Sequence, residues 1–236
     1  MRIVINHLTR MRTPRICLAG IDPRSLRHVR PTTPPGYPIT HDLLEVNGGP
    51  LALGTEVDLG HVRPDGSAPE TEDHRFDRAA LRHVRDLDGN EFHALLSRVA
   101  RPDLDAAFGP ALRRRRWKFA IDEGEGHCSL AVVRCGSRPT LEIDETFGNP
   151  RLQLKWSDPD PPTYLPVTDV RFYEQEDGTI RRDLVEAAAE RLRRGVGCML
   201  MLGVARPWKA EGDTKHRHWL QLNGLVLDDC PVGDTP

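Results

Sequence analysis

Arg10, Arg12 and Arg15 crowd one short stretch, TRMRTPR, and guanidinium forks of this kind pair with phosphate oxygens through parallel hydrogen bonds. Near the other end, RPWKAEGDTK sets Arg206, Lys209 and Lys215 around Trp208. An indole beside several cations is the composition that stacks a base while holding its phosphates. Arg138, in the turn-like RCGSRP, is a further candidate of the same type. A fourth feature is HVRP, which occurs at 28–31 and again at 61–64, with a truncated HVR at 83–85. In a strand, alternate side chains share a face, so Val29 and Val62 are expected to be buried while Arg30 and Arg63 stay accessible as phosphate ligands. Around His83 the apolar Ala80, Leu81, Val84 and Leu87 fall at helical spacing, which predicts a helix for the third copy. Nothing else aligns at that interval, so the motif is not a solenoid repeat.

Catalytic signatures are sparse. The chain has no P-loop, no Gly-x-Ser-x-Gly and no His-Glu-x-x-His. The best catalytic pattern is Asp144 followed by Gln153-Leu154-Lys155, which follows the order of an Mg²⁺-holding carboxylate and a water-polarising lysine in restriction-type nucleases. His127, Cys128 and Cys135 are not at zinc-ligand spacing, and His216 and His218 lack an evident third ligand, so no metal or cofactor is expected. Five cysteines with no Cys-x-x-Cys pair argue against a disulfide framework and against a zinc ribbon.

The formal net charge of −2 hides a strong asymmetry: residues 1–30 hold seven arginines against one acid, Asp22, a local +6. Arg113, Arg114, Arg115, Arg116 and Lys118 place five more positive charges around Trp117. No apolar run approaches the roughly 20 residues of a spanning helix, and the first ten residues lack a signal-peptide apolar stretch. A cytoplasmic protein without a membrane partner is the expectation.

These side chains must be positioned by elements of two kinds. RIVINHL and RICLAGI are β-branched runs separated by a turn, and LRHVRP is a short strand closed by Pro31. DGNEFHALLSRVA carries Phe92, Leu95, Leu96 and Val99 on one helical face, with Asp88 and Glu91 spaced as a capping box. Residues 101–127, with Pro102, Gly109-Pro110 and the arginine run, read as a connector between an N-terminal unit (1–100) and a C-terminal unit (128–236). In the second unit SLAVV, TLEID and LQLKW read as strands. A helix follows with Leu184, Val185, Ala188 and Leu192 on one face and Gly195 at its stop, and CMLMLGVA and HWLQLNGLVL read as the last two strands. Three strands, a helix and two strands is the element order of an OB-fold, a five-stranded Greek-key barrel. The fold class expected is mainly β with a few helices, as two tandem OB-like barrels joined by a helical connector.

The run IVINHLTRMRTPRICLAGID followed by HVRP resembles the bacterial dual OB-fold domain proteins, through its basic turn, Cys17-Leu18-Ala19-Gly20 and Arg30-Pro31. PETEDH at 69–74, CSLAVV at 128–133 and LMLGVARPW with HWLQLNGL extend the likeness over most of the chain. The resemblance implies two OB-like barrels, nucleic-acid recognition and a place in bacterial conflict or defence systems. The leading expectation is therefore a non-catalytic protein whose partner is single-stranded DNA or RNA. Its rivals are an Mg²⁺-dependent nuclease using Asp144 and Lys155, and an adaptor for a protein effector built on the same barrels.

Overall fold

The N-terminal arginines are carried by a hairpin. β1 (Arg2–Arg10) and β2 (Ile16–Ile21) pair antiparallel, and the basic stretch 11–15 turns between them. β3 (His28–Thr32), β4 (Thr55–Asp58), β5 (Val62–Pro64), β6 (Asp73–Phe76) and β7 (Arg82–Asp86) complete a seven-stranded sheet in the order β5-β6-β3-β2-β1-β4-β7, with β3 and β6 parallel. The computed structural model describes residues 1–146, 148–210 and 212–230, so the last six residues of the expected 128–236 unit lie outside the described residues. The chain is mainly β, with three α-helices among the described residues and a sheet curled into half a barrel.

A β-bulge in β1 decides what that hairpin presents. Ile5 pairs with Gly20 and His7 with Ala19, which leaves Asn6 as the extra residue. A bulge re-aims the side chains that follow it. Beyond it, His7 and Thr9 share a face with Ala19 and Cys17, their cross-strand partners, while Leu8 goes to the core with Ile3 and Ile5.

The three HVR copies have three different fates. In the first, Val29 is buried as expected, but Arg30 is buried too, 6% exposed, which corrects the expectation of an accessible arginine. In the second, Arg63 is exposed on the edge strand β5 opposite Arg75, and Val62 is only half-buried. The third corrects the helix predicted around His83: residues 82–86 are strand, with His83 opposite Val57 and Arg85 opposite Glu56. A single 3₁₀ turn at Arg78–Ala80 is all the helix that forms. Pairing along the edge of β4, reinforced by Arg85 on Glu56 at 3.1 Å, overrides a helical spacing that rested on four apolar residues.

Helix α1 (Gly89–Val99) follows with the reciprocal Asp88/Glu91 capping box in place and Phe92, Leu95 and Leu96 buried. The stretch read as a connector then holds α2 (Leu104–Phe108), β8 (Arg113–Arg115) and β9 (Lys118–Asp122). The arginine run is thus one strand of a hairpin. Arg114 lies 4.4 Å over the Phe119 ring, Arg113 pairs with Glu125 and Arg115 with Asp122.

β10 (Leu130–Arg134), β14 (Cys198–Val204) and β15 (Arg217–Leu227) join β9 and β8 in a five-stranded sheet ordered β10-β14-β15-β9-β8. β11 (Thr140–Asp144), β12 (Arg151–Trp156) and β13 (Thr163–Pro166) form a separate three-stranded sheet. Between β13 and β14, α3 (Arg182–Arg193) buries the four predicted residues Leu184, Val185, Ala188 and Leu192, and Gly195 at φ 88 follows its end.

Every residue of β14 is buried, because both its faces are covered. Met199 and Met201, with Val132 and Val226, pack into the core of the seven-stranded sheet. Cys198, Leu200 and Leu202 pack with α3 and the three-stranded sheet. One strand therefore contributes to the cores of both halves, and that arrangement places the end of β14 and the middle of β15 against the bulged hairpin β1–β2.

Candidate functional site

Where the hairpin meets those strands there is a cleft of about 610 Å³, within the size range of ligand pockets. Its floor is one face of the N-terminal sheet: His7 and Thr9 from β1, Cys17 and Ala19 from β2, Arg30 and Thr32 from β3. The small side chains of Cys17 and Ala19, alternating with the core residues Ile16 and Leu18, leave the space open. Leu130, Val204, Ala205, Arg206, Gln221 and Asn223 form the facing wall. Arg10, Arg12 and Arg15 stand at the mouth beside the Pro-rich segment 33–38. Among the described residues, five arginines line the cleft and no carboxylate does.

Two of those arginines are held from behind by acids. Asp73, itself buried, accepts from Arg30 Nε at 2.5 Å on one oxygen and from Arg206 on the other. Arg206 Nη1 also lies 3.3 Å from Glu70, which faces His218 Nδ1 at 3.2 Å. Next to them, Glu72 accepts from the Ser129 and Leu130 amides at 2.7 and 3.1 Å and from the Ser129 hydroxyl at 2.9 Å. The acids of PETEDH thus tie the start of β6 to β10, β14 and β15, and Arg30 belongs to this structural clamp rather than to the accessible cations. Arg206 is half-exposed beside the cleft. Arg10 lies 3.9 Å over the Tyr173 ring. Arg12 and Arg15 are exposed and carry no ion-pair partner among the described residues.

The floor holds polar groups with no partner. His7 is 1% exposed, and neither of its ring nitrogens is hydrogen-bonded; Thr32 Oγ1 and Arg30 Nη2 are likewise buried and unbonded. An unsatisfied buried polar group costs roughly 1–3 kcal/mol, so these groups lie beneath the cleft at a cost to stability. Burial, then the neighbouring His28 and Arg30, hold the His7 pKa well below the ordinary 6.5. Burial, with a contribution from Arg101, lowers His28 to about 4. Both imidazoles are neutral in the folded protein at neutral pH, while in the unfolded chain they take up protons as pH falls past about 6.5. The unfolded state then binds more protons, so stability declines as pH drops from about 6.5 towards 4 and is unaffected by these groups above that window. Denaturant midpoints measured from pH 7.5 to 4 check this, and the decline should be shallower in His28→Phe.

The remaining candidates stand apart from the cleft. Trp208 is 47% exposed, and its ring centroid lies 6.0 Å from that of Trp219. By the two-residue period of a strand, Trp219 shares a face with Gln221, a cleft residue, but neither indole lines the cleft among the described residues. Lys209 and Lys215 are exposed on the same loop. Arg138 packs beside Gly195, and Arg63 sits at the far edge of the N-terminal sheet; neither reaches the cleft.

Asp144 and Lys155 are not brought together. Asp144 pairs with Arg151 while Lys155 pairs with Thr140, four positions along the same ladder, roughly 13 Å at about 3.3 Å per residue. The Asp144 carboxylate accepts from the Thr146 amide at 2.9 Å and the Gln153 side chain at 3.0 Å, a turn-closing role.

His7, Thr9, Gln221 and Asn223 were not anticipated as site residues. The available signal was their polarity inside strands that are otherwise apolar, RIVINHLT and LQLNGLVL. No protein-family profile, curated protein or solved structure matches the chain.

Proposed function

We propose that this protein binds single-stranded nucleic acid and performs no chemistry on it, the strand lying in the cleft and leaving it over Trp208 and Trp219. The observation that carries this is the convergence of Arg10, Arg12, Arg15 and Arg206, from both halves of the chain, on one concave site that has no lining carboxylate among the described residues. Cations of this kind hold phosphates. The exposed indole of Trp208 offers a base a stacking surface, which a duplex with its bases already stacked cannot use. We further read both halves as opened OB-like barrels. In support, β10 pairs with β14 instead of with its sequence neighbour β11, the return connection of a Greek key; α3, however, follows four strands of this half, β10 to β13, where the OB-fold order has three. The distance between Asp144 and Lys155 weighs against the nuclease alternative.

Fluorescence anisotropy with a labelled single strand of about 18 nucleotides, longer than the site of one OB fold, against the same sequence as a duplex is the direct test. The single strand should bind more tightly. Trp208→Ala should weaken it by about 1–3 kcal/mol, the worth of one base stack, and leave the salt dependence nearly unchanged. Equal binding of duplex and single strand, with no effect of Trp208→Ala, would contradict the proposal. Pull-down of a protein partner that survives nuclease treatment, with no oligonucleotide binding, would favour the adaptor instead.

A further inference from the structure

We propose that the tip of the β8–β9 hairpin, Arg116-Trp117-Lys118, is a second contact for the bound strand, with Trp117 stacking a base while Arg116 and Lys118 hold the phosphates beside it. The inference rests on the single-strand function proposed above and extends the path of the strand past Trp219 onto the neighbouring hairpin.

The cations of this hairpin do not share one role. Arg113 and Arg115 are paired with Glu125 and Asp122, and Arg114 lies over the Phe119 ring and donates to the Pro161 carbonyl. Arg116 and Lys118 are exposed and form no ion pair among the described residues. Between them Trp117 is 56% exposed, more so than Trp208. A ring held that far into solvent adds little to the core, and an indole with a cation on each side is the composition that stacks a base between phosphates. The tip is also fixed in place, because Thr163 Oγ1 donates to the Trp117 carbonyl at 2.8 Å and Arg114 ties the hairpin to the segment just before β13. A platform already ordered loses little freedom on binding.

Two further observations point to an anion at this place. Arg116 has φ 59, a backbone region that glycine enters without strain, so a charged residue occupies the turn position that suits glycine best. Partial desolvation, then Arg151 from β12, lower the Lys118 pKa, so cations from two different sheets meet at the tip, and a bound phosphate would relieve their repulsion. The position is on the way out of the cleft. Ala120 pairs with Trp219 of β15 on one side and Arg113 of β8 on the other, and Lys118 shares the face of Ala120 by the two-residue period. Trp117 follows three residues along β9 from Ala120, roughly 10 Å at about 3.3 Å per residue. A strand leaving over Trp208 and Trp219 therefore meets this hairpin next.

The test uses the full-length protein and a labelled thymidine strand of about 18 nucleotides. Trp117→Ala should weaken binding at least about fivefold, the lower end for loss of one base stack, and leave the salt slope as it was. Arg116→Gly removes the charge at a position that glycine suits, so its denaturation midpoint should not fall. Its binding should be about eightfold weaker near 50 mM salt, with the slope of log K against log salt shallower by about 0.7, the effect of one phosphate contact. Trp117→Phe keeps a ring but removes the indole emission, so part of the tryptophan quenching seen when the wild type binds should be missing while most of the affinity remains. Unchanged affinity in either Trp117→Ala or Arg116→Gly, or undiminished quenching in Trp117→Phe, would overturn the second contact while leaving single-strand binding in the cleft intact. Absence of wild-type binding near 50 mM salt would instead remove the single-strand function on which the inference rests.

Discussion

Asp73→Ala is expected to lower the unfolding free energy by about 3–5 kcal/mol, because it strands a buried arginine. Arg30 is 6% exposed and Asp73 is its ion-pair partner. Removing the carboxylate leaves a desolvated positive charge with nowhere to go, and Arg206 loses a ligand at the same time. For a chain of this size the fall in Tm should be about 6–20 °C. The double variant Asp73→Ala/Arg30→Met should recover a large part of that loss, since replacing both members of a buried pair by apolar groups is far less damaging than removing one. A fall below about 1 kcal/mol for Asp73→Ala, measured by urea denaturation, would mean that water reaches Arg30 and that the clamp between β3, β6 and the start of the Arg206 loop is not what holds the two halves in register.

The second large effect concerns binding. Arg12 and Arg15 are exposed at the mouth of the cleft and have no ion-pair partner among the described residues, so their charge is available to a phosphate. Arg12→Ala/Arg15→Ala should make the slope of log K against log salt shallower by about 1.4, at about 0.7 per single-strand phosphate contact. The same relation sets the loss of affinity: about 60-fold at 50 mM salt and about 10-fold at 200 mM. Stability should change little, because surface residues without partners contribute within about 0.5 kcal/mol. The contrast with Asp73→Ala is informative. One variant damages the fold and the other the electrostatic attraction, and isothermal or anisotropy titrations with parallel denaturation curves separate them.

Elements whose evidence is local could be read from the sequence. The capping box at Asp88 and Glu91, the apolar face of α3 and the β-branched runs of β1 and β2 depend on residues within one or two turns of each other, and all four elements form. His83 shows the limit of such evidence, because four apolar residues at helical spacing are too few to outweigh pairing with the strand β4, which decides. Arg30 shows another. Its sequence surroundings match those of Arg63, yet its fate is set by Asp73, 43 residues away, and by a parallel β3–β6 pairing that no short-range pattern reveals. Three of the cations at the cleft were legible as one basic turn, but Arg206 joins them only because β14 lies between the two cores. His7 and Asn223 were invisible for a related reason: a bulge in β1 and the close approach of Gly203 to Asn223 decide where they point.

Salt dependence of single-strand binding by the wild-type protein tests the central claim most directly. A labelled oligonucleotide of 15–20 nucleotides should bind near 50 mM salt and weaken steadily to 200 mM. Arg10, Arg12, Arg15, Lys209 and Lys215 can together engage about four to six phosphates, giving a slope of log K against log salt of about −3 to −4. No detectable binding at 50 mM salt, or binding whose strength does not change over that range, would contradict the assignment of the cleft to a nucleic-acid strand.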